Sequence, residues 1–285
     1  MFSLIPRRRA AGFLKFPVCC TRSGLATVTI LGIAAVFCSP ATQASVVYGV
    51  PNSLYSQDFD TLANSGTPTW TNDSTIPGWY ASRTTYSTGF SGLGPTGLHS
   101  MGSTGSTERA LGSQGGSGGD VVYGVSFQNT TGGLLDTFSV SFVAEQWRNS
   151  GSTIKNTLVF KYRIEAVPQF VTQTGSETSV PTLNFESLHN NFGTLLDGNA
   201  PANRQALAET ISGITWNPGD YLWLQWSDVN DPGSDQGMAI DDFSFTASGP
   251  AVAAVPEPSL TWLLTSIALV VVRVVKSRRQ LELAR

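Results

Sequence analysis

Residues 45–249 predict an all-β fold of two packed antiparallel sheets. Three observations carry that prediction. Several segments alternate apolar and polar residues with period two, as half-buried strands do. The connections between them are dense in turn signals, such as Asn217-Pro218-Gly219-Asp220, Asp197-Gly198-Asn199 and Thr131-Gly132-Gly133. Helical spacing is nearly absent, and only Ala200–Thr210 hints at a helical turn.

The strands follow in chain order. Gln57–Phe59 reads as the first. Gly89–Gly119 holds eleven glycines in 31 residues and few apolar side chains, so it reads as a long loop outside the core, with a short strand at Arg109–Gly112. Val121–Gln128 comes next. Phe138, Val140, Phe142 and Ala144 then alternate with Ser139, Ser141 and Val143. Leu158, Phe160, Tyr162 and Ile164 alternate with Lys161, Arg163 and Glu165. Leu183–Glu186 is a further short strand. Leu222, Leu224 and Trp226 alternate with Tyr221, Trp223 and Gln225, and Met238–Thr246 closes the set. About nine strands in about 205 residues suit a jelly roll, with no internal repeat.

Charge is segregated along the chain. Residues 45–249 hold seven Lys and Arg against eighteen Asp and Glu, a formal charge of −11, although the whole chain carries only −3. An acidic surface repels phosphate backbones, which excludes nucleic acid as a partner and favours cations and neutral ligands. The three cysteines, Cys19, Cys20 and Cys38, all precede residue 45, so the body has no disulfide.

Both ends read as addresses. Arg7, Arg8, Arg9, Lys15 and Arg22 precede an apolar run from Leu25 to Phe37, and Thr42-Gln43-Ala44 supplies small residues before a cut ahead of Ser45. Residues 1–44 are therefore expected to be a signal peptide. Residues 250–255 form a small-residue linker. Pro256, Glu257 and Pro258 then stand before an apolar segment, 260–275, followed by Lys276, Arg278 and Arg279. As a helix, that segment spans about 24 Å, short of a ~30 Å hydrocarbon core. The basic cluster keeps the tail cytoplasmic. This three-part tail, residues 256–285, resembles the PEP-CTERM sorting signal. The resemblance implies transient anchoring in the inner membrane, an exosortase-type membrane protease as partner, and delivery to the cell surface or extracellular matrix with exopolysaccharide.

Within the body, Ala239-Ile240-Asp241-Asp242-Phe243 resembles the closing strand of MAM-type and carbohydrate-binding jelly rolls, and Gln57-Asp58-Phe59-Asp60 resembles their opening strand. The resemblance implies that these strands are neighbours and that Asp58, Asp60, Asp241 and Asp242 hold a structural Ca²⁺. The loop with Asp228, Asn230, Asp231 and Asp235 is a second cation candidate. It departs from an EF-hand because Pro232 takes the fifth position and Ala239 the twelfth. Trp147, Tyr221 and Trp223 lie out of phase with the core residues of their strands, which predicts solvent-facing rings able to stack on a neutral sugar.

Catalytic patterns are weak. Gly115-Gly116-Ser117-Gly118-Gly119 matches Gly-x-Ser-x-Gly, but lies in a glycine tract. His99 and His189 sit in no metal-binding spacing, and no pair stands out among Glu145, Glu165 and Glu186. The sequence thus predicts a non-catalytic surface protein associated with exopolysaccharide or matrix. A carbohydrate-binding module with a defined neutral glycan is the alternative, ahead of a secreted hydrolase.

Overall fold

The computed structural model describes residues 45–89, 96–168 and 176–250, with Arg273, Lys276 and Arg279 as exposed helical positions. The expected leader, the Pro256-Glu257-Pro258 block and the apolar segment 260–275 other than Arg273 lie outside the described residues. No helix among the described residues is long and apolar enough to cross a membrane.

Two β-sheets pack face to face. The smaller has β1 (Val46–Tyr48), β7 (Val121–Asn129), β14 (Tyr221–Asp228), β9 (Thr157–Glu165) and β10 (Thr178–Ser179) in that order. On it, β3 (Trp79–Ala81) also pairs with β7, and β11 (Phe185–Glu186) with β9. The larger runs β12 (Gly193–Leu195), β8 (Leu135–Ser150), β15 (Gly237–Ser248), β6 (Ala110–Gln114), β5 (Gly97–Met101) and β4 (Tyr86–Thr88). There β13 (Arg204–Trp216) also pairs with β8, and β2 (Tyr55–Gln57) with β15. Pairing is antiparallel except at β1–β7 and β4–β5, which are parallel.

The period-two patterns fill the space between the sheets. Leu222, Leu224 and Trp226 face Phe138, Val140 and Phe142, all at most 2% exposed. Phe127 stacks on Phe245 with ring centroids 4.1 Å apart, and Trp226 meets Phe142 edge-on at 5.3 Å. The Asn217–Asp220 turn forms as expected, with the Asp220 N–H donating to Asn217 O at 3.1 Å.

Two local readings are corrected. Gly89–Gly119 is not a loop outside the core: it carries β5 and β6, whose ten residues are all buried. Low apolar content misled the reading, because small residues are what close approach demands here. A Cβ on Gly112 would lie 2.6 Å from the Met238 carbonyl oxygen. Ala200–Thr210 is not an α-helical turn either. After a short 3-10 turn at Pro201–Asn203, the chain extends along the edge of β8 as β13, whose ladder hydrogen bonds override weak helical propensity.

One irregularity positions the site. Register between β15 and β8 shifts between Asp241 and Ser244, and Asp242 has φ 49°. The extra residue is a β-bulge that resets the alternation. Ile240 and Phe243 consequently both reach the core, while Asp241 and Ser244 both lie on the outer face.

Candidate functional site

The outer face of the larger sheet has two zones. At one end three carboxyl groups from distant parts of the sequence converge: Glu108 from the β5–β6 loop, Glu145 from β8 and Asp241 from β15. One oxygen of each lies within 4.8 Å of the other two. Register explains the meeting. Ala239 pairs with Glu145 and Asp241 with Val143, so Glu145 and Asp241 project side by side from adjacent strands.

Burial is deep, with Glu145 1% and Asp241 7% exposed. Trp147 Nε1 donates to Glu145 Oε2 at 2.8 Å, and Asn199 Nδ2 donates to Glu108 Oε2. The second oxygens, Glu108 Oε1, Glu145 Oε1 and Asp241 Oδ1, are buried with no hydrogen-bond partner among the described residues. None of the three groups is in a salt bridge there. Loss of hydration pushes the Glu145 carboxyl up to about 7 against the Trp147 hydrogen bond, and Glu108 adds repulsion. Asp241 is raised in the same way, chiefly by burial, with Glu145, Asp242 and Glu108 pressing on it. Arg204 opposite Glu145 and the Asp242 N–H at Asp241 offset part of this, and the remaining electronegative pocket is one that a proton or a cation relieves.

The second zone is a field of neutral hydroxyls, with the Asp136 carboxylate at its margin accepting from Thr137 Oγ1 at 3.1 Å. In one row Ala208, Ser141, Ser244 and Ser56 lie side by side on β13, β8, β15 and β2. The next row is Thr210, Ser139 and Thr246, and the one beyond it Ser212, Thr137 and Ser248. Hydroxyls bond across the strands, Ser139 to Thr210 at 2.8 Å and Ser141 to Ser244 at 2.7 Å. Neighbouring strands lie about 4.8 Å apart and same-face residues about 6.7 Å apart along a strand. Nine hydroxyls thus form a regular array on a body of formal charge −11.

The predicted stacking platform does not form. Trp147 lies on β8 of the larger sheet, whereas Tyr221 and Trp223 lie on β14 of the smaller, so the three rings share no surface. Trp147 is 2% and Trp223 0% exposed; Tyr221 stays half-buried. Being out of phase with the inter-sheet core did not expose the tryptophans, because the outer faces are covered at these points. Trp147 packs with Met101, Ala110 and Ala239 under the 198 backbone, where a Cβ would come within 2.2 Å of its Nε1. Trp223 lies under Arg163, whose guanidinium carbon is 5.1 Å from the ring centroid, and against Tyr80 at 5.0 Å.

The implied Ca²⁺ quartet is only partly assembled. β2 does pair with β15, so the opening and closing strands are neighbours. Asp58, however, accepts the Asp60 N–H at 3.2 Å, and Asp60 accepts the Arg109 N–H at 2.9 Å. Both belong to an exposed turn, and Asp242 is exposed on the bulge. Only Asp241 joins the buried cluster; Glu108 and Glu145 take the remaining places. Neither had a local signal: one lies in a Ser/Gly loop, and the other occupies a strand position that reads as a solvent-facing acid. The second candidate loop organises itself, with the Asn156 amide donating to Asp231 at 2.6 Å and the Asp231 N–H to Asp235 at 3.0 Å.

Ser117 sits in the turn after β6, away from any strand-to-helix elbow. Glu165 is paired with Arg163 at 3.0 Å, and Glu186 with Lys155 at 2.9 Å.

No family model matches the chain, and no curated protein matches it. Among solved structures it is similar to the CBM22-1 xylan-binding domain of Paenibacillus barcinonensis Xyn10C, with 11% identity, a TM-score of 0.32, and coverage of 72% of this chain and 100% of that one. It is similar to the family 11 carbohydrate-binding module of Clostridium thermocellum, with 10% identity, a TM-score of 0.31, and coverage of 71% and 99%. It is also similar to the K2 cleaved adhesin domain of Lys-gingipain, with 15% identity, a TM-score of 0.34, and coverage of 68% and 98%.

Proposed function

We propose that this chain is a non-catalytic extracellular protein, sorted to the cell surface through its Pro256-Glu257-Pro258 tail. There it associates with neutral polysaccharide through the hydroxyl rows of the larger sheet. The observation that carries the polysaccharide reading is the array of neutral hydroxyls centred on Ser139, Ser141, Thr210 and Ser244 on so acidic a body. Each hydroxyl both donates and accepts, as sugar hydroxyls do. Contact with the central pairs, Ser139 with Thr210 and Ser141 with Ser244, strips water from neutral groups, so it escapes the penalty of burying charge. The surrounding acids repel anionic polymers.

The geometry favours binding over catalysis. Glycoside cleavage needs two carboxyl groups that both reach the substrate. Glu145 and Asp241 are adjacent, but both are buried beneath the face. Sorting rests on the sequence: leader, Pro-bracketed block, short apolar segment and basic end.

The test is retardation of the mature protein in native gels containing polysaccharide. A neutral glucan or xylan is expected to slow it and an anionic polymer to leave it unchanged. Thr210→Glu, at an exposed position in the array, is expected to abolish the retardation without altering the melt. If no neutral polysaccharide slows the protein, or Thr210→Glu is slowed as much as the parent, the reading fails.

A further inference from the structure

The carboxyl cluster at the end of the face asks for a ligand of its own. Glu108, Glu145 and Asp241 each keep one buried oxygen with no hydrogen-bond partner among the described residues, and one oxygen of each lies within 4.8 Å of the other two groups. The opposite oxygens of the two glutamates are held by Asn199 and Trp147, which fixes their orientation. Two guanidinium groups act on the cluster without a salt bridge to it: Arg204 stands opposite Glu145 on β13, and Arg109 Nε donates to Ser100 Oγ at 2.8 Å. Asp242 adds negative charge without compensating it.

The donor chemistry selects the class of ligand. One oxygen of each group lies within 4.8 Å of the others, close enough for one ion to touch all three. Carboxylate oxygens suit a hard cation, and Ca²⁺ accepts irregular oxygen cages where Mg²⁺ demands a near-ideal octahedron. The donors are all hard oxygens, with no nitrogen or sulfur to favour zinc. Glu108 is the half-buried member, so its side of the cluster is the one from which water would complete an ion's coordination.

We infer that Glu108, Glu145 and Asp241 form a binding site for a single hard divalent cation of the Ca²⁺ kind. The ion ties the β5–β6 loop to the two central strands of the larger sheet, beside the hydroxyl rows. The site takes Asp241 alone from the quartet expected on the terminal strands. It stands whether or not the face binds polysaccharide.

Two readouts on the mature protein test it. A Ca²⁺ concentration a hundredfold above Kd is expected to raise the melting temperature by about 5–10 °C over EDTA. Tb³⁺ is expected to bind in place of Ca²⁺ and emit on indole excitation, because Trp147 hydrogen-bonds a ligand carboxylate. Glu108→Gln, at the half-exposed position, is expected to lose most of both responses while remaining folded. Glu145→Gln and Asp241→Asn are expected to lose both and to melt higher than the parent in EDTA, since each removes a buried charge. Identical melts in EDTA and millimolar Ca²⁺ would overturn the inference. So would responses to Ca²⁺ and Tb³⁺ that survive Glu108→Gln and Glu145→Gln, which would place the ion elsewhere.

Discussion

Asp228 is the most buried carboxyl group outside the cluster, and replacing it with asparagine gives a stability change whose sign depends on pH. It ends β14 between Val121 of β7 and Leu158 of β9, at 0% exposure. Neither of its oxygens makes a well-formed hydrogen bond among the described residues, and the neighbouring Tyr123 hydroxyl is likewise buried without a partner. Burial raises the group from its ordinary 3.8 to about 7, against weak help from Ser113 and the Gly115 N–H. The folded chain therefore keeps a proton that the unfolded chain releases near pH 4. Stability from this group is highest at acid pH, falls between about pH 4 and pH 7, and is flat above. At about 1.4 kcal/mol per pH unit, the ionised group costs up to about 4 kcal/mol at pH 8. Asp228→Asn keeps the shape, so its gain at pH 8 is expected to be about 1–4 kcal/mol, or a melting temperature roughly 3–10 °C higher. At pH 4 the two proteins are expected to melt alike. Urea unfolding from pH 4 to pH 8 measures the difference and separates it from Glu145 and Asp241, which titrate identically in both proteins. If Asp228→Asn is less stable at pH 8, or its shift is the same at both ends, the carboxylate is held by bonds that asparagine cannot make and the reasoning is refuted.

Two further outcomes are expected. Trp223→Ala removes a ring packed against Arg163 and Tyr80. It should cost about 3–5 kcal/mol in denaturant unfolding and leave polysaccharide retardation unchanged wherever the protein stays folded. Intact-mass analysis of surface material should find a chain that begins at Ser45 and lacks Leu260–Arg285. A mature chain that retains the whole tail would count against exosortase sorting.

Much of the fold is legible without coordinates because alternation is local. Phe138–Ala144, Leu158–Ile164 and Leu222–Trp226 mark their own strands and inward phase, and Asn217–Asp220 marks its own turn. Seven of the fifteen strands are only two or three residues long, too short for a period to register. The glycine-rich β5 and β6 were illegible for another reason. β5 lies between β4 and β6, and β6 between β5 and β15, so neighbouring strands cover the small residues while Leu98 and Leu111 reach the core.

The site depends on pairing across the whole chain. Ser139 and Ser141 alternate visibly along β8, but they become an array only when β13, β15 and β2 lie beside them in register. Period two also says which residues share a face, without saying whether that face meets water. That is why Trp147 and Trp223 looked exposed and are not. What the sequence determined alone was the fold class and the charge segregation, since each is written in adjacent residues. What the tertiary structure decided was the meeting of Glu108, Glu145 and Asp241. No local pattern links positions so far apart; strand register and one β-bulge bring their side chains to the same few ångströms.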